Sequence, residues 1–276
     1  MNERAIRNLA KLDMSQARIT RMLDAAAGGK NNFVADREAV RRYDEATPVT
    51  TAAARAVLGF LARVVRHLAL AGVDQYLIIG SGVPSGLPTG HQLHDIARDT
   101  LGGAEARVVY VENDPMVLAN ARATIEPVTD AMRVVEGDAR QVEDLLSDRV
   151  VRTFLDWDRP VGILLVSMHG VGDEHAEHVI KCLRHAAPAN SYLALLQTTF
   201  DGIPPELLPA ARDLLAMTLP GHAIRDRAEV TALLDGLDLV TPGLVWVPEW
   251  RPDGAETACL EQPGSSGNYG AVARLI

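Results

Sequence analysis

The sequence predicts an α/β fold, doubly wound, in which helices cover both faces of a seven-stranded, mostly parallel sheet. From Gln75 onward, short apolar segments alternate with longer amphipathic segments, the order of strand–helix–strand units. Residues 161–166 and 192–196 are apolar almost throughout, as expected for strands that are buried on both faces. The predicted strands are residues 76–79, 108–111, 133–136, 161–166, 192–196, a segment near 237–247, and 269–275.

Three helices are predicted ahead of the sheet. Residues 15–27 place an apolar stripe on one face, and Gly28 and Gly29 end that helix. A polar helix continues through Arg42, and residues 50–70 have the apolar spacing of a longer amphipathic helix. We therefore expect residues 1–72 to form an N-terminal helical lid over the ligand-binding edge and residues 73–276 to form the sheet domain. Later helices are predicted at residues 92–101, 173 onward, 205–217 and 227–234.

Composition indicates a globular protein. Of the 276 residues, 47% are hydrophobic and 23% are charged, and no apolar run reaches the roughly 20 residues that span a bilayer. Basic residues are in excess only in the first quarter of a chain with net charge −9, so we expect no nucleic-acid or membrane partner. Cys182 and Cys259 lack the spacing of a metal site. These features predict a cytoplasmic protein, monomeric or homodimeric.

The most informative motif is a strand that runs into Gly80-Ser81-Gly82, followed by a second strand that ends at Glu112. Glycines let the backbone approach a ligand, and an acid at the second strand tip can accept hydrogen bonds from both ribose hydroxyls. This order predicts a site for an adenosine-containing cofactor. The loop lacks the glycine spacing that places a pyrophosphate at a helix N-terminus, which disfavours NAD and favours S-adenosylmethionine, a ligand without phosphate.

With these elements the sequence resembles the class I, Rossmann-like S-adenosylmethionine-dependent methyltransferases, and within them the family described as S-adenosyl methyltransferase. The resemblance covers nearly the whole chain and departs at Ile78, where the family has an aspartate, at Val57-Leu58, and at extra residues 85–90. The motifs that carry it are Ala17-Arg18, Gly28 to Phe33 with Asp36-Arg37, Gln75 to Pro84, His94 to Ala97, Val108 to Pro115, Asp138-Ala139-Arg140, Arg159-Pro160, Leu164 to Val166 with His169, Gly236-Leu237, Trp250 to Pro252, and Tyr269-Gly270.

The resemblance implies a cofactor site, with S-adenosylhomocysteine as the product that leaves it. Glu112 would hold the ribose, Asn113 or Asp114 would close over the adenine, and Asp138, beside Ala139, would accept from the adenine amino group. For Asp138 the alternative is an acid that only stabilises a turn. The other expected contacts of the cofactor are the glycine loop Gly80, Ser81 and Gly82, the strand tip Ser167, and the lid residues Arg18, Lys30 and Asn32, which would bind the methionine carboxylate.

The acceptor side is expected at the tip of the fourth strand. His169 has an unperturbed pKa near neutrality, so it could remove a proton from the acceptor, or it could only shape the pocket. Tyr43 is a second candidate for catalysis and, with Phe33, would face the acceptor. Met168 and His169 would complete a pocket for a small aromatic or indole-like molecule that is methylated on carbon, nitrogen or oxygen in secondary metabolism.

The sequence offers three other interpretations. A NAD-dependent oxidoreductase would need the phosphate-binding turn that is missing, whereas a catalytically silent module that binds S-adenosylmethionine or S-adenosylhomocysteine stays open because Ile78 replaces an acid. His175 and His178, with Glu174 and Glu177, could ligate a metal, but we expect Asp173 to cap that helix and no metal to be required. Asp114 before Pro115 is expected to be a helix N-cap.

Overall fold

An eight-stranded mixed sheet forms the centre of the computed structural model, which describes residues 14–47, 50–80, 82, 92–124, 130–166, 168–254 and 257–276. The predictions for Ser81, Ser167 and residues 85–90 lie outside the described residues. The strands are β1 Gln75–Ile79, β2 Arg107–Glu112, β3 Met132–Glu136, β4 Gly162–Leu165, β5 Tyr192–Thr198, β6 Asp238–Leu239, β7 Val245–Trp246 and β8 Asn268–Arg274.

The strand order places the ends of the first five strands along one edge. The order is β3-β2-β1-β4-β5-β8-β6, with β7 also paired to β8; β1 to β5 are parallel and β8 is antiparallel to β5. Ile79 lies opposite Val111 on one side and Leu165 on the other. Gly80, Glu112 and the residues after β4 therefore meet at the same edge, as the sequence predicts for a parallel sheet.

Helices pack on both faces of this sheet, which confirms the doubly wound α/β prediction. The helices are α1 Ile19–Ala26, α2 Val34–Ala46, α3 Thr50–Leu70, α4 Leu93–Thr100, α5 Pro115–Thr124, α6 Val142–Ser147, α7 Arg149–Phe154, α8 Asp173–Ala186, α9 Leu208–Thr218 and α10 Arg227–Leu233. One apolar core lies between the sheet and α3 to α5, and the other lies between the sheet and α6, α7, α8 and α10.

Helix α3 is part of the core. Phe60 is fully buried, and its ring lies so close to Gly270 in β8 that a Cβ atom there would be 2.7 Å from it. The buried guanidinium of Arg63 donates to the carbonyls of Trp250 (2.9 Å) and Val247 (2.7 Å) and so ties α3 to the chain that follows β7. Among the described residues 14–47 and 50–72, α1 and α2 supply no buried residue to the two main cores, although Leu23 packs against one of them, and the boundary at residue 72 stays a prediction.

The prediction of seven strands was wrong in one segment. Residues 237–247 do not form one strand; β6 and β7 are two short strands separated by a turn that contains Pro242 and Gly243. A proline cannot donate to a ladder and a glycine adds no side chain to pack, so the continuous strand is broken there. The sequence pattern missed this turn because the apolar residues on both sides of it continue the strand-like composition.

Two predicted helix caps have different outcomes. Asp114 Oδ1 accepts from the Met116 N–H at 2.8 Å, which confirms it as the cap of α5. Asp173 is not a cap: it is the first residue of α8, with Gly172 at the cap position and no side-chain cap bond. Its carboxylate lies 2.8 Å from the buried guanidinium of Arg225 instead.

Helices α1 and α2 are held against the sheet edge by Arg21, a fully buried arginine. Its Nε lies 3.2 Å from the carboxylate of Asp36 in α2 and 3.5 Å from that of Asp114 after β2.

No single helix among the described residues is long and apolar enough to cross a membrane; α2 and α3 meet that test only when counted together across a bend of 110°.

We expect Gly270→Ala to destabilise the protein, because the new Cβ atom would lie 2.7 Å from the buried Phe60 ring. Overpacking of this kind costs about 1–3 kcal/mol, measurable by urea denaturation. The control is Gly170→Ala, since no heavy atom lies within 4 Å of a Cβ there. Equal stability of the two variants would contradict the close packing of α3 on β8.

Candidate functional site

Two adjoining cavities open at the carboxyl edge of the parallel strands. The first, which we call the polar cavity, has a volume of ≈ 250 Å³ and is lined by the ends of β1, β2 and β3, by the start of α1 and by residues 218–222. It contains six of the predicted cofactor-site residues. These are Arg18, Gly80, Glu112, Asn113, Asp138 and Ala139.

Glu112 is the buried acid of the polar cavity. Its Oε1 accepts from the N–H groups of Asn113 (2.9 Å) and Asp114 (3.0 Å), while its Oε2 has no partner among the described residues. Burial raises the pKa of Glu112 to about 7, although these N–H groups oppose the shift. A buried acceptor without a partner is costly, so this oxygen is prepared to receive a donor from a ligand.

The glycines beside Glu112 have backbone conformations that favour glycine. Gly80 has φ +76° and Gly82 has φ +63°. A Cβ atom at Gly82 would lie 3.2 Å from Cβ of Thr20 and 3.9 Å from Oε2 of Glu112. A side chain there would therefore be strained and would crowd Thr20 of α1.

Asp138 is held by its neighbours. Its carboxylate accepts from Nδ2 of Asn113 (2.9 Å) and from the backbone N–H of Arg140 (2.9 Å), and it forms an ion pair with the Arg140 guanidinium. Partial burial raises the pKa of Asp138, but the hydrogen bonds from Arg140 and Asn113 outweigh it, and the pKa falls below its ordinary value. Both interpretations of Asp138 are compatible with this geometry: it stabilises a turn, and it also borders the polar cavity.

The second cavity, which we call the apolar cavity, has a volume of ≈ 440 Å³ and lies between α1 to α3 and the segment after β5. Its lining residues among those described include no Asp, Glu, Lys or Arg. Tyr43 and Phe200 supply its aromatic rings. The hydroxyl of Tyr43 bonds to that of Thr218 (2.9 Å), and burial raises the pKa of Tyr43, so this tyrosine is a neutral wall of the cavity.

The two cavities share one boundary. The residues that line both of them are Ile19, Thr20, Gly80, His169 and Leu219. A group bound in the polar cavity can therefore meet a molecule in the apolar cavity at this boundary.

His169 at this boundary is uncharged. Its ring stacks on that of His222, with centroids 5.0 Å apart, and its Nδ1 has no partner among the described residues. Burial, together with the nearby His222 and Arg225, lowers the pKa of His169 to about 3. The pKa of His169 thus departs from the unperturbed value, and the sequence could not show this because burial beside His222 and Arg225 depends on the fold. A role in shaping the pocket fits a neutral imidazole better than a role as base.

Five of the predicted contact residues that the structure describes line neither cavity: Lys30, Asn32, Phe33, Gly82 and Met168. Met168 was placed against the acceptor, but its side chain is fully buried in the core beneath the sheet. Asn32 donates to Asp24 (2.9 Å) instead of reaching the polar cavity, and the Arg21 guanidinium lies 5.1 Å from the Phe33 ring centroid. The segment 29–33 folds back on Asp24, which is why these two residues turn away from the site.

Ile78, where the family pattern has an acid, is also absent from both cavities. It is 1% exposed and packs in the core between the sheet and α3. His222 and Thr20, in contrast, line the polar cavity although the sequence analysis did not select them. No local pattern marks either residue, because His222 lies in a loop far along the chain and Thr20 lies within a helix.

Comparisons with known proteins agree with this geometry. A family model described as S-adenosyl methyltransferase matches residues 6–276. The chain is similar to a protein described as a methyltransferase from Thermobifida fusca YX, with 32% identity, a TM-score of 0.83, and coverage of 96% of this chain and 97% of that one. It is also similar to a DUF574 family protein from Streptomyces avermitilis MA-4680, with 34% identity, a TM-score of 0.84, and coverage of 96% and 99%. No curated protein matches the sequence.

We expect Glu112→Gln to change how stability depends on pH. The pKa of Glu112 rises from 4.5 to about 7 on folding, so between these values the folded protein holds a proton that the unfolded chain has released. Stability from this group is therefore lost as pH rises through that window. The variant cannot titrate, so its stability relative to the wild type should increase by up to about 3 kcal/mol from pH ~4 to pH ~8. Parallel curves of unfolding free energy against pH would contradict the burial of this acid.

Proposed function

The chain belongs to the S-adenosyl methyltransferase family, and from this premise we propose that it methylates an uncharged, largely apolar small molecule held in the apolar cavity. S-Adenosylmethionine is the cofactor, and the protein is a methyltransferase. We propose an aromatic or indole-like acceptor, methylated on carbon, nitrogen or oxygen as a tailoring step in secondary metabolism. The single observation that carries the proposal is the apolar cavity that adjoins the polar one.

The polar cavity fits the cofactor by the chemistry of its free groups. Oε2 of Glu112 lacks a partner, and ribose hydroxyls are donors that would satisfy it. Gly80 lines the cavity without a side chain, and Asn113 and Asp138 lie where an adenine could be bound. Arg18 lines the same cavity and would face the methionine carboxylate. When bound, the cofactor supplies a methyl group that its sulfonium charge activates, so the chain has no need of a covalent intermediate.

The apolar cavity supports an uncharged acceptor. A charged molecule would lose its hydration there, and none of the described lining residues carries a compensating charge. Leu196, Leu207 and Leu215 supply apolar surface, and the ring of Phe200 favours an aromatic partner. Neutral polar groups such as Thr198 and Asn268 also line the cavity and could orient a hydroxyl or amide of the acceptor.

Catalysis would then rest on alignment and exclusion of water. Thr20, His169 and Leu219 stand at the boundary of both cavities, so they limit how the acceptor can approach the polar cavity. Holding two reactants in line can supply a large part of the barrier reduction, on the order of 7 kcal/mol or more. A neutral His169 can donate or accept one hydrogen bond with the acceptor without removing its proton. Cytoplasmic location and oligomeric state stay predictions from sequence.

The expected preference for uncharged acceptors provides the main test. Turnover of radiolabelled S-adenosylmethionine should be measured with pairs of ring compounds that differ only in the presence of a carboxylate or an ammonium group. We expect the neutral member of each pair to be methylated. Leu215→Glu should lower turnover of that acceptor by about 100-fold or more, because it places a carboxylate in the cavity.

Met217→Glu is the matched control, since Met217 lies on the same helix and is 71% exposed. Both variants should bind S-adenosylhomocysteine as the wild type does, which shows that they are folded. Preference for charged acceptors would overturn the proposal, as would normal turnover in Leu215→Glu. Tight S-adenosylhomocysteine binding with no turnover of any neutral or charged acceptor would favour a catalytically silent module.

His169→Ala separates the two roles of the histidine. A pocket-shaping residue predicts a higher acceptor KM, kcat within about tenfold of the wild type, and an unchanged pH profile between about pH 6 and about pH 9. Loss of a general base predicts instead a fall in kcat of about 10²–10⁴-fold. Because burial lowers the pKa of His169 to about 3, we expect the first result. Steady-state kinetics across this pH range, with the acceptor found above, decides between them.

A further inference from the structure

A cluster of three ligand-type side chains lies on the surface away from both cavities. Glu143 belongs to α6, and His178 and Cys182 lie one turn apart on the same face of α8. Glu143 and His178 are more than half exposed, and Cys182 is half-buried between them. None of the three lines either cavity, so the methyltransferase site does not account for the cluster.

The atoms of this cluster that could ligate a metal converge on one point. Nε2 of His178 lies 2.5 Å from Oε1 of Glu143, and Sγ of Cys182 lies 3.5 Å from Nε2 of His178 and 3.8 Å from Oε1 of Glu143. A tetrahedral zinc centre separates its nitrogen, oxygen and sulfur ligands by about 3.3–3.6 Å, given its usual bond lengths. The separation of Cys182 from His178 already has this size, and that of Cys182 from Glu143 is slightly larger. The third is a hydrogen bond that would open by roughly 1 Å when a cation replaced its proton.

We propose that Glu143, His178 and Cys182 form a binding site for a zinc-class divalent cation, with water as the remaining ligand. The chemistry of the donor set decides the class of metal. Thiolate and imidazole prefer zinc and similar borderline-soft ions, whereas magnesium and calcium require mostly oxygen ligands. The spacing of His178 and Cys182 by four residues places both donors on one side of a helix, which limits the movement needed for binding.

The position of the site gives it a structural consequence. Helix α6 directly follows the turn Ala139–Gln141 at the polar cavity, and α8 begins shortly after the turn Met168–Gly170 that carries His169. A cation bound between α6 and α8 would join the two segments behind these turns. Binding should therefore raise the thermal stability of the full chain.

The ligand set that the fold brings together differs from the set of neighbours in sequence. The sequence places His178 beside Glu174, His175 and Glu177, whereas the fold brings Glu143 from 35 residues earlier in the chain. His175 contacts Glu174 (3.4 Å) and is not part of the cluster, which makes it a suitable control on the same helix.

The test measures ZnCl₂ and MgCl₂ binding to the reduced full-length protein by calorimetry and thermal denaturation. We expect one zinc ion per chain, no response to magnesium, and at least tenfold weaker zinc binding in His178→Ala, Cys182→Ser and Glu143→Gln. His175→Ala and Cys259→Ser should bind zinc as the wild type does. Cobalt(II) should give a thiolate-to-metal absorption band with the wild type and with Cys259→Ser. The band should be absent with Cys182→Ser.

Absence of zinc binding to the wild type would overturn the proposal. So would equal zinc affinity in His178→Ala, Cys182→Ser and His175→Ala, since that result would indicate adventitious binding by scattered side chains. S-Adenosylhomocysteine binding by each variant serves as the check of folding, so loss of zinc binding in an unfolded variant is not counted as support.

Discussion

The buried contacts of Arg21 with Asp36 and Asp114 hold the N-terminal helices on the sheet edge, and both cavities depend on this position. Asp36 also accepts from the N–H groups of Arg18 and Phe33, and Asp114 also caps α5. Each partner of the arginine is therefore fixed by a second element. Because removal of one partner from a buried ion pair leaves an uncompensated charge, this contact specifies where α1 and α2 must lie.

Burial neutralises the two most informative side chains of the site in opposite ways. It raises the pKa of Glu112 to about 7 and lowers that of His169 to about 3. Glu112 can regain its charge when ligand donors replace lost water, whereas burial, His222 and Arg225 all disfavour the protonated form of His169. Desolvation thus favours a ligand that donates hydrogen bonds beside Glu112, at the end of β2, and an uncharged ligand beside His169, after β4.

Much of the fold and of the polar cavity could be predicted from the sequence. Gly80 and Glu112 lie at strand ends, and parallel strands bring such ends together whatever the rest of the chain does. The predictions failed where a contact depends on distant elements. Asn32 and Phe33 turn away because Asp24 binds the segment before them, and His222 reaches the cavity from a loop that no local pattern marks.

The sequence by itself determined the α/β class, the order of the first five strands and helices, and the glycine and acid positions of the cofactor edge, because these follow from local periodicity and residue chemistry. Only the tertiary structure decided that residues 237–247 form two strands, that Met168 faces the core while His169 faces the cavities, and that Glu143 meets His178 and Cys182. Side-chain direction at a strand tip and contacts between distant helices depend on how the elements pack. Packing sums many weak contacts that no short segment of sequence contains.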